Sequence, residues 1–470
     1  MTTPSLALEP RTGIGRELVQ LPRERRLNLI SLLWLIFFTT CGGAFGLEPL
    51  IGAVGPTLAL LLILITPFVW SLPTALMTAE LTALIPEDVG YYVWIRRAFG
   101  PFWAVQQACW IMATSVVWLA MFPVLFVSYL TFLFPAITPA PGSPHHQWSA
   151  IICWMLAAVV IACGAALNSR GARDVGRSAN VSAYFVLGAF VVLLLVWLKR
   201  SPAPDPIFEV LRSDRGISNK GALLLGLSYI TFNTSGWDNA STYAGEVNEA
   251  QRSYPRALIC AVLILILCYV FPVIAGVTVT TDPSVWSAAA GWPAVAAAIG
   301  GRWLGSLLAL AGMVSTFGLF SAQLLYVSRL PLVLASDGWL PGMFAKVSAE
   351  TPAPRLSILT FAAFAAVFAA LSFGSLAIIQ CVLYTACLTF EFLALLVLRV
   401  RYPDSQRSFK VPGSWLGLAY VCMAPFAFAV VLLYATLREW RNFPGQLFVI
   451  GAVVSGGMVL YLFRRKTAAT

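Results

Sequence analysis

Cys41-Gly42-Gly43-Ala44-Phe45-Gly46-Leu47-Glu48 cuts through the first long apolar run of this chain, and Asn233-Thr234-Ser235-Gly236-Trp237-Asp238 cuts through the sixth. Each interruption is built around glycine and followed at once by a carboxylate. Glycine-broken segments at corresponding places in two halves of a membrane chain point to a central solute site. An unwound stretch exposes N–H and C=O groups that lipid cannot satisfy, so it must be packed in protein or line a watery cavity.

The membrane setting follows from composition. Of 470 residues, 59% are hydrophobic and 11% charged, 16 are Trp, and the mean hydropathy is +0.82, outside the range of a water-soluble globular domain. Apolar runs of about 20 residues, each enough to cross a hydrocarbon core as a helix, recur along the chain. They centre on residues 28–52, 56–84, 102–130, 149–168, 179–198, 219–248, 255–281, 303–332, 355–372, 375–399, 414–437 and 444–463, which predicts an all-α polytopic fold of twelve spans. The first run is too long and too glycine-broken for a cleavable signal, and Glu17 and Glu24 lie among the arginines before it. It is expected to stay as the first span.

Positive residues are retained on the cytoplasmic side. With both termini inside, 22 of the 30 Lys and Arg fall in cytoplasmic segments, among them Arg11, Arg16, Arg23, Arg25 and Arg26 at the start and Arg464, Arg465 and Lys466 at the end. Five of the eight outside (Lys199, Arg200, Arg212, Arg215, Lys220) share one loop with Asp205, Glu209 and Asp214. The net charge of +10 thus reads as orientation in a cell membrane and not as nucleic-acid binding. The nine cysteines all sit in apolar runs without CxxC pairing, and the two histidines, His145 and His146, share one Pro-rich loop, so neither a metal nor a cofactor is expected. Polar stretches are too short for a separate soluble core. Of the five lysines only Lys466 precedes Ser or Thr, and no phosphate-cradling glycine stands before it, which argues against an ATP-driven pump and against an enzyme.

The two breaks carry the chemistry. Pro49 is suited to open a new helix just after Glu48. Free N–H groups at the positive end of a half-helix suit a carboxylate, and free carbonyls suit an ammonium. After Gly236, the spacing of Asp238, Thr242 and Glu246 places them on one face of a continuing α-helix. A carboxylate at mid-membrane is costly unless paired or protonated. Glu48 and Asp238 are therefore candidates for neutralising a cationic solute or carrying a coupling proton, with Glu246 a third proton candidate or a gating residue. Glu80 and Glu391 read as helix-packing or interfacial acids. Phe45, Phe232 and Trp237 flank the breaks as possible aromatic gates.

The stretches Gly42 to Glu48, Thr78-Ala79-Glu80-Leu81, Pro86-Glu87-Asp88, Tyr91 to Trp94, Gln106-Gln107, Pro123 to Phe126, Ser235 to Val247, Asp337 to Pro341 and Glu391-Phe392 together resemble the amino acid, polyamine and organocation superfamily. The chain is most similar to its polyamine uptake and L-type amino acid transporter group. The resemblance implies two inverted five-helix repeats, residues 28–200 and 201–400, after a cytoplasmic segment 1–27 and before two further helices in 401–470. It implies alternating access about a solute held between the broken first and sixth spans, driven by a proton or an exchanged solute. By position, Gly42, Gly43 and Ala44 would hold a substrate carboxylate. Phe45, Gly46, Glu48, Asn233, Ser235, Gly236, Trp237 and Asp238 would line the rest, with Phe232 as the gate.

Three positions depart from that pattern. Trp118 stands where plant polyamine carriers have an acid in the third span, Pro49 where they have an acid after the first-span Glu, and Ala189 where some proton-coupled relatives have a lysine. The expected activity is secondary transport of amino acids or related amines with protons. A polyamine carrier, an amino acid exchanger and a non-transporting solute sensor are the alternatives, and the sequence leaves any partner subunit open.

Overall fold

The computed structural model describes residues 27–85, 87, 89–138, 146–200, 222–287, 291–347, 353–371, 373–405, 407–439, 451, 453 and 455–462. The N-terminal arginines, His145, the 201–221 loop and the C-terminal basic cluster lie outside the described residues, as does part of the twelfth run.

No strand occurs among the described residues beyond one isolated bridge. The helices are α1 (Leu29–Thr40), α2 (Glu48–Thr66), α3 (Leu72–Leu84), α4 (Gly90–Phe99), α5 (Pro101–Leu133), α6 (His146–Asn168), α7 (Ala172–Arg200), α8 (Ala222–Thr234), α9 (Ala250–Val277), α10 (Pro283–Ser287), α11 (Gly291–Gly300), α12 (Arg302–Val327), α13 (Arg329–Ser336), α14 (Arg355–Phe368), α15 (Phe373–Arg401) and α16 (Ser414–Glu439). Among the described residues, eight continuous helical stretches are long and apolar enough to cross a membrane, and α1, α11 and α14 are shorter apolar helices. The chain is therefore an all-α, multi-pass membrane protein.

A glycine break and a proline-led turn divide the first stretch. Gly55, with φ 81° and ψ 165°, breaks the helical path inside α2, and Pro56 restarts it, so the first span ends and the second begins within one turn. A π-helical turn, Pro67–Ser71, then joins α2 to α3. Pro67 lacks an N–H to continue the regular ladder, a recognised cause of such local widening.

The broken segments occupy the middle of the bundle. α1 packs on α7, α9 and α12, α2 on α8, and α8 on α15, while α5 lies along both α12 and α15. Large apolar side chains on α7 (Val181, Phe185, Val191, Leu195, Leu198) and α16 (Phe426, Leu433, Leu437) point outward, which lipid accommodates and water does not. Polar side chains instead turn into the bundle, where Thr, Ser and Asn hydroxyls and amides bond backbone carbonyls one turn back, as Thr114 and Ser228 do.

One expectation fails. After Gly236 the chain forms a 3-10 helix, Asn239–Glu246, interrupted at Tyr243, and not a continuing α-helix. With three residues per turn, positions four apart no longer share a face. Asp238, Thr242 and Glu246 consequently do not form a polar stripe: Asp238 bonds Tyr384, Thr242 bonds Asn239 O, and Glu246 bonds Arg329.

Candidate functional site

The first break runs from Cys41 to Leu47. Gly42, Gly43 and Gly46 have φ of 62°, 96° and 90°, a conformation in which a side chain is strained. The loop closes partly on itself. Gly42 N–H donates to Phe37 O at 3.0 Å, and Gly43 N–H to Cys41 Sγ at 3.4 Å. Gly46 N–H donates to Glu48 Oε2 at 2.6 Å. Two of the N–H groups expected to hold a substrate carboxylate thus already have partners, and Glu48 caps its own break. The other Glu48 oxygen accepts the Tyr129 hydroxyl at 2.7 Å and, more weakly, Trp292 N–H at 3.5 Å. Trp292, on α11, also donates its indole N–H to Ala44 O at 2.7 Å, and Ser315 of α12 donates to Gly42 O. Phe45 lies against Tyr129 and Phe190, with ring centres 5.2 and 4.9 Å apart.

The second break touches the first. Asn233 Nδ2 donates to Gly46 O at 2.9 Å as well as to Tyr229 O at 2.8 Å. Tyr269 donates to Asn233 O, and Trp70 to Ser235 Oγ at 3.1 Å. Gly236 has φ 103°, and a Cβ there would fall 2.2 Å from Thr39 O at the end of α1. Only glycine permits that approach of the two broken spans. Tyr384 of α15 joins the break to its carboxylate: its oxygen accepts Gly236 N–H at 2.8 Å and its proton goes to Asp238 Oδ1. Trp237 turns back to donate to Thr234 O at 2.8 Å. Phe232 packs on Phe122 and Trp118, and Trp118 in turn on Tyr384.

All twelve residues named from sequence around the breaks are buried and belong to one connected region. Glu246 is not part of it. Its carboxylate meets Arg329 Nε at 2.6 Å at the Leu27 end of the bundle. Glu80 is fully buried and held by Arg399 at 3.1 Å and Arg407 at 2.5 Å, so it packs helices together and does not sit at an interface. Glu391 is equally buried and accepts Gln107 Nε2 at 2.8 Å.

Tyr129, Tyr269, Tyr384, Trp292 and Ser315 were missed, and Gln107 was noted without a role in the site. Their one legible signal was a polar-tipped side chain inside an apolar run, where an O–H or N–H needs a partner. Fourteen Tyr and sixteen Trp made that signal too common to choose from. The region is acidic on balance. Glu48, Asp238 and Glu391 lie in it fully buried, and among the described residues no Lys or Arg forms an ion pair with any of them.

Comparison with known proteins adds to this geometry. A family model for amino acid permeases matches residues 27–454. The polyamine transporter RMV1 of Arabidopsis thaliana is 32% identical over 450 residues, 95% of this chain and 86% of the relative. The polyamine transporter PUT1 of Oryza sativa subsp. japonica is 35% identical over 418 residues, 88% and 75% of the two chains. A methylthioribose transporter of Bacillus subtilis (strain 168) is 24% identical over 438 residues, 90% of each. With two interlocked helix breaks at its centre and a family match over nearly all its length, the chain belongs to the amino acid permease family.

Proposed function

We propose that this chain carries small amines across the plasma membrane by alternating access, with polyamines such as putrescine and spermidine as its foremost substrates and protons as the driving ion. The observation that carries this reading is the set of three buried carboxylates, Glu48, Asp238 and Glu391, with no ion-paired base among the described residues. Such a set suits a solute bearing ammonium groups, because unpaired mid-membrane charge is costly. The names of the plant relatives agree with it. So do the first-break N–H groups, because those of Gly42 and Gly43 already have partners that a substrate carboxylate would have to displace. Glu391 supplies from the tenth span an acid of the kind that Trp118 lacks in the third.

In this reading both termini face the cytoplasm. Residues 28–200 and 201–400 act as two five-helix halves that rock about the joined breaks, and residues 401–470 add two further helices. Phe232 and Phe45 close over the solute from either side.

A second reading, transport or exchange of an amino acid, is favoured by the family model itself, which is that of amino acid permeases. Purified protein in liposomes decides between them. Labelled putrescine, spermidine, arginine and leucine are offered singly under an imposed inward proton gradient. Accumulation of the two polyamines above the gradient-free level supports the proposal. Accumulation of leucine alone favours the second reading, and binding without flux for every solute leaves a sensor.

A further inference from the structure

Asp238 and Glu391 form a buried acidic pair that the breaks alone do not explain. Asp238 Oδ1 accepts the Tyr384 hydroxyl, and Glu391 Oε1 accepts Gln107 Nε2 at 2.8 Å, while Asp238 Oδ2 and Glu391 Oε2 are enclosed without a partner. Glu391 stands two helical turns after Tyr384, the partner of Asp238, on the same face of α15, which brings the two carboxylates within electrostatic reach of one another. Tyr91 of α4, fully buried and with its hydroxyl also unpartnered, interacts electrostatically with both. Two enclosed carboxylate oxygens without partners mark a place that takes something bringing positive charge or a hydrogen-bond donor.

The surroundings narrow what that is. Titratable groups facing the pair are Tyr384 and Cys387 from α15, Tyr326 from α12, which bonds Ser115 of α5 at 2.8 Å, and Tyr91. None of these side chains ordinarily carries charge at neutral pH. Of the positive charges on neighbouring elements, Arg399, two turns beyond Glu391, and Arg407 are paired with Glu80, Arg329 with Glu246, Arg96 with Asp337 and Arg97 with Glu87. Two carboxylates sharing one dry site do not both stay ionised.

We propose that Asp238 and Glu391 together bind one proton, and that this pair, with Gln107 as the positioning residue for Glu391, is where the coupling proton rides. Loading forms an O–H bond on one of the two free carboxylate oxygens and takes the pair from two negative charges to one. Release breaks the same bond and returns the proton to water on the other side. No other bond changes. The coupling role rests on the transport reading above, whereas occupancy of the pair by a proton does not.

Infrared difference spectroscopy on the protein in liposomes tests occupancy without any substrate. The wild type is expected to show a carboxylic-acid C=O band at neutral pH that shifts in heavy water. Glu391→Gln and Asp238→Asn should each lower the proton affinity of the remaining acid by about tenfold, read as a shift in the titration midpoint of that band, because the like charge beside it is gone. The titrations are run in the Glu48→Gln background as well, which removes the third buried carboxyl from the band and leaves the pair. Gln107→Leu should move the midpoint without abolishing the band.

Absence of any such band in the wild type overturns the proposal, whatever the variants do. So does a midpoint unmoved by Glu391→Gln, or a band that follows sodium concentration and ignores pH. In the transport arm, Glu391→Gln should cut putrescine accumulation driven by the proton gradient at least tenfold, and unaltered accumulation counts against the pair. If the wild type moves no putrescine, spermidine, arginine or leucine, the functional reading fails while the spectrum still decides the proton site.

Discussion

One hydroxyl, that of Tyr384, satisfies both a freed backbone N–H in the second break and one oxygen of the adjacent carboxylate. Tyr384→Phe leaves Gly236 N–H and Asp238 Oδ1 enclosed without that partner, which costs about 1–3 kcal/mol. The expected result is a lower unfolding midpoint in detergent together with weaker solute binding, and a variant indistinguishable from wild type in both would show that the bond is idle. Glycine makes a second contrast at this scale. Gly236→Ala combines a left-handed φ with a Cβ 2.2 Å from Thr39 O, so a loss of at least about 2 kcal/mol is expected. Gly188→Ala in α7 meets nothing within 4 Å and gains helix propensity, and should be neutral or stabilising by about 0.5–1 kcal/mol. Thermal unfolding of the two variants side by side measures the difference. Gly236 and Asp238 were legible because glycine beside a carboxylate is rare inside an apolar run. Tyr384 was not, because an aromatic side chain in such a run reads as packing until its hydroxyl is seen to find a partner across 146 residues of chain.

Among elements, the breaks themselves and the division between the first two runs were readable because glycine and proline act through the local backbone. What followed the second break was not. A 3-10 helix and an α-helix share the same composition here, and the choice was made by Tyr254, which donates to Ala240 O at 2.5 Å from α9, and by the docking of Val89 N–H on Thr242 O at 3.2 Å. The same holds for Glu80, whose partners Arg399 and Arg407 come from the far end of α15 and the linker after it. Glu80 also accepts Val411 N–H at 2.7 Å, so one buried carboxylate ties α3, α15 and the segment leading into α16 together. Removing it strands two guanidiniums in a dry site. Glu80→Leu is expected to cost about 3–5 kcal/mol, and the triple variant Glu80→Leu, Arg399→Leu, Arg407→Leu less than the single one, because the penalty lies in uncompensated charge and not in lost attraction. Unfolding midpoints of the two proteins check the sign, and a triple variant weaker than the single one would mean that the network adds net stability.

At the scale of the whole molecule, the joined breaks are sealed from both ends by different chemistry. At the Gly55 end the seal is aromatic: Trp286 lies edge-on to Trp292, 5.4 Å away, and Trp292 edge-on to Phe190 above Phe45. At the Leu27 end it is polar. Leu27 N–H bonds Glu246 O at 2.8 Å and Asn248 N–H bonds Leu27 O at 3.0 Å, which pins the start of the first span to the end of the sixth. Glu246 holds Arg329, and Arg96 holds Asp337 at 2.5 Å beside Tyr92, whose phenol burial and the Asp337 carboxylate push above its ordinary range. Ion pairs of this kind release in steps as water enters, whereas interlocked rings must move as a body, so the polar end is the easier one to bias by a single substitution. Arg329 keeps its bond to Leu325 O when Glu246 is neutralised but loses its counter-charge, which favours the hydrated open arrangement, so Glu246→Gln weakens closure. A loss of about 1 kcal/mol in closure raises the open population about fivefold. Cys387, buried next to Asp238 and Glu391, reports that opening. Alkylation by a maleimide, located on Cys387 by mass spectrometry, is expected to rise about fivefold in Glu246→Gln, and equal rates in the two proteins would mean that this ion pair does not hold the end shut.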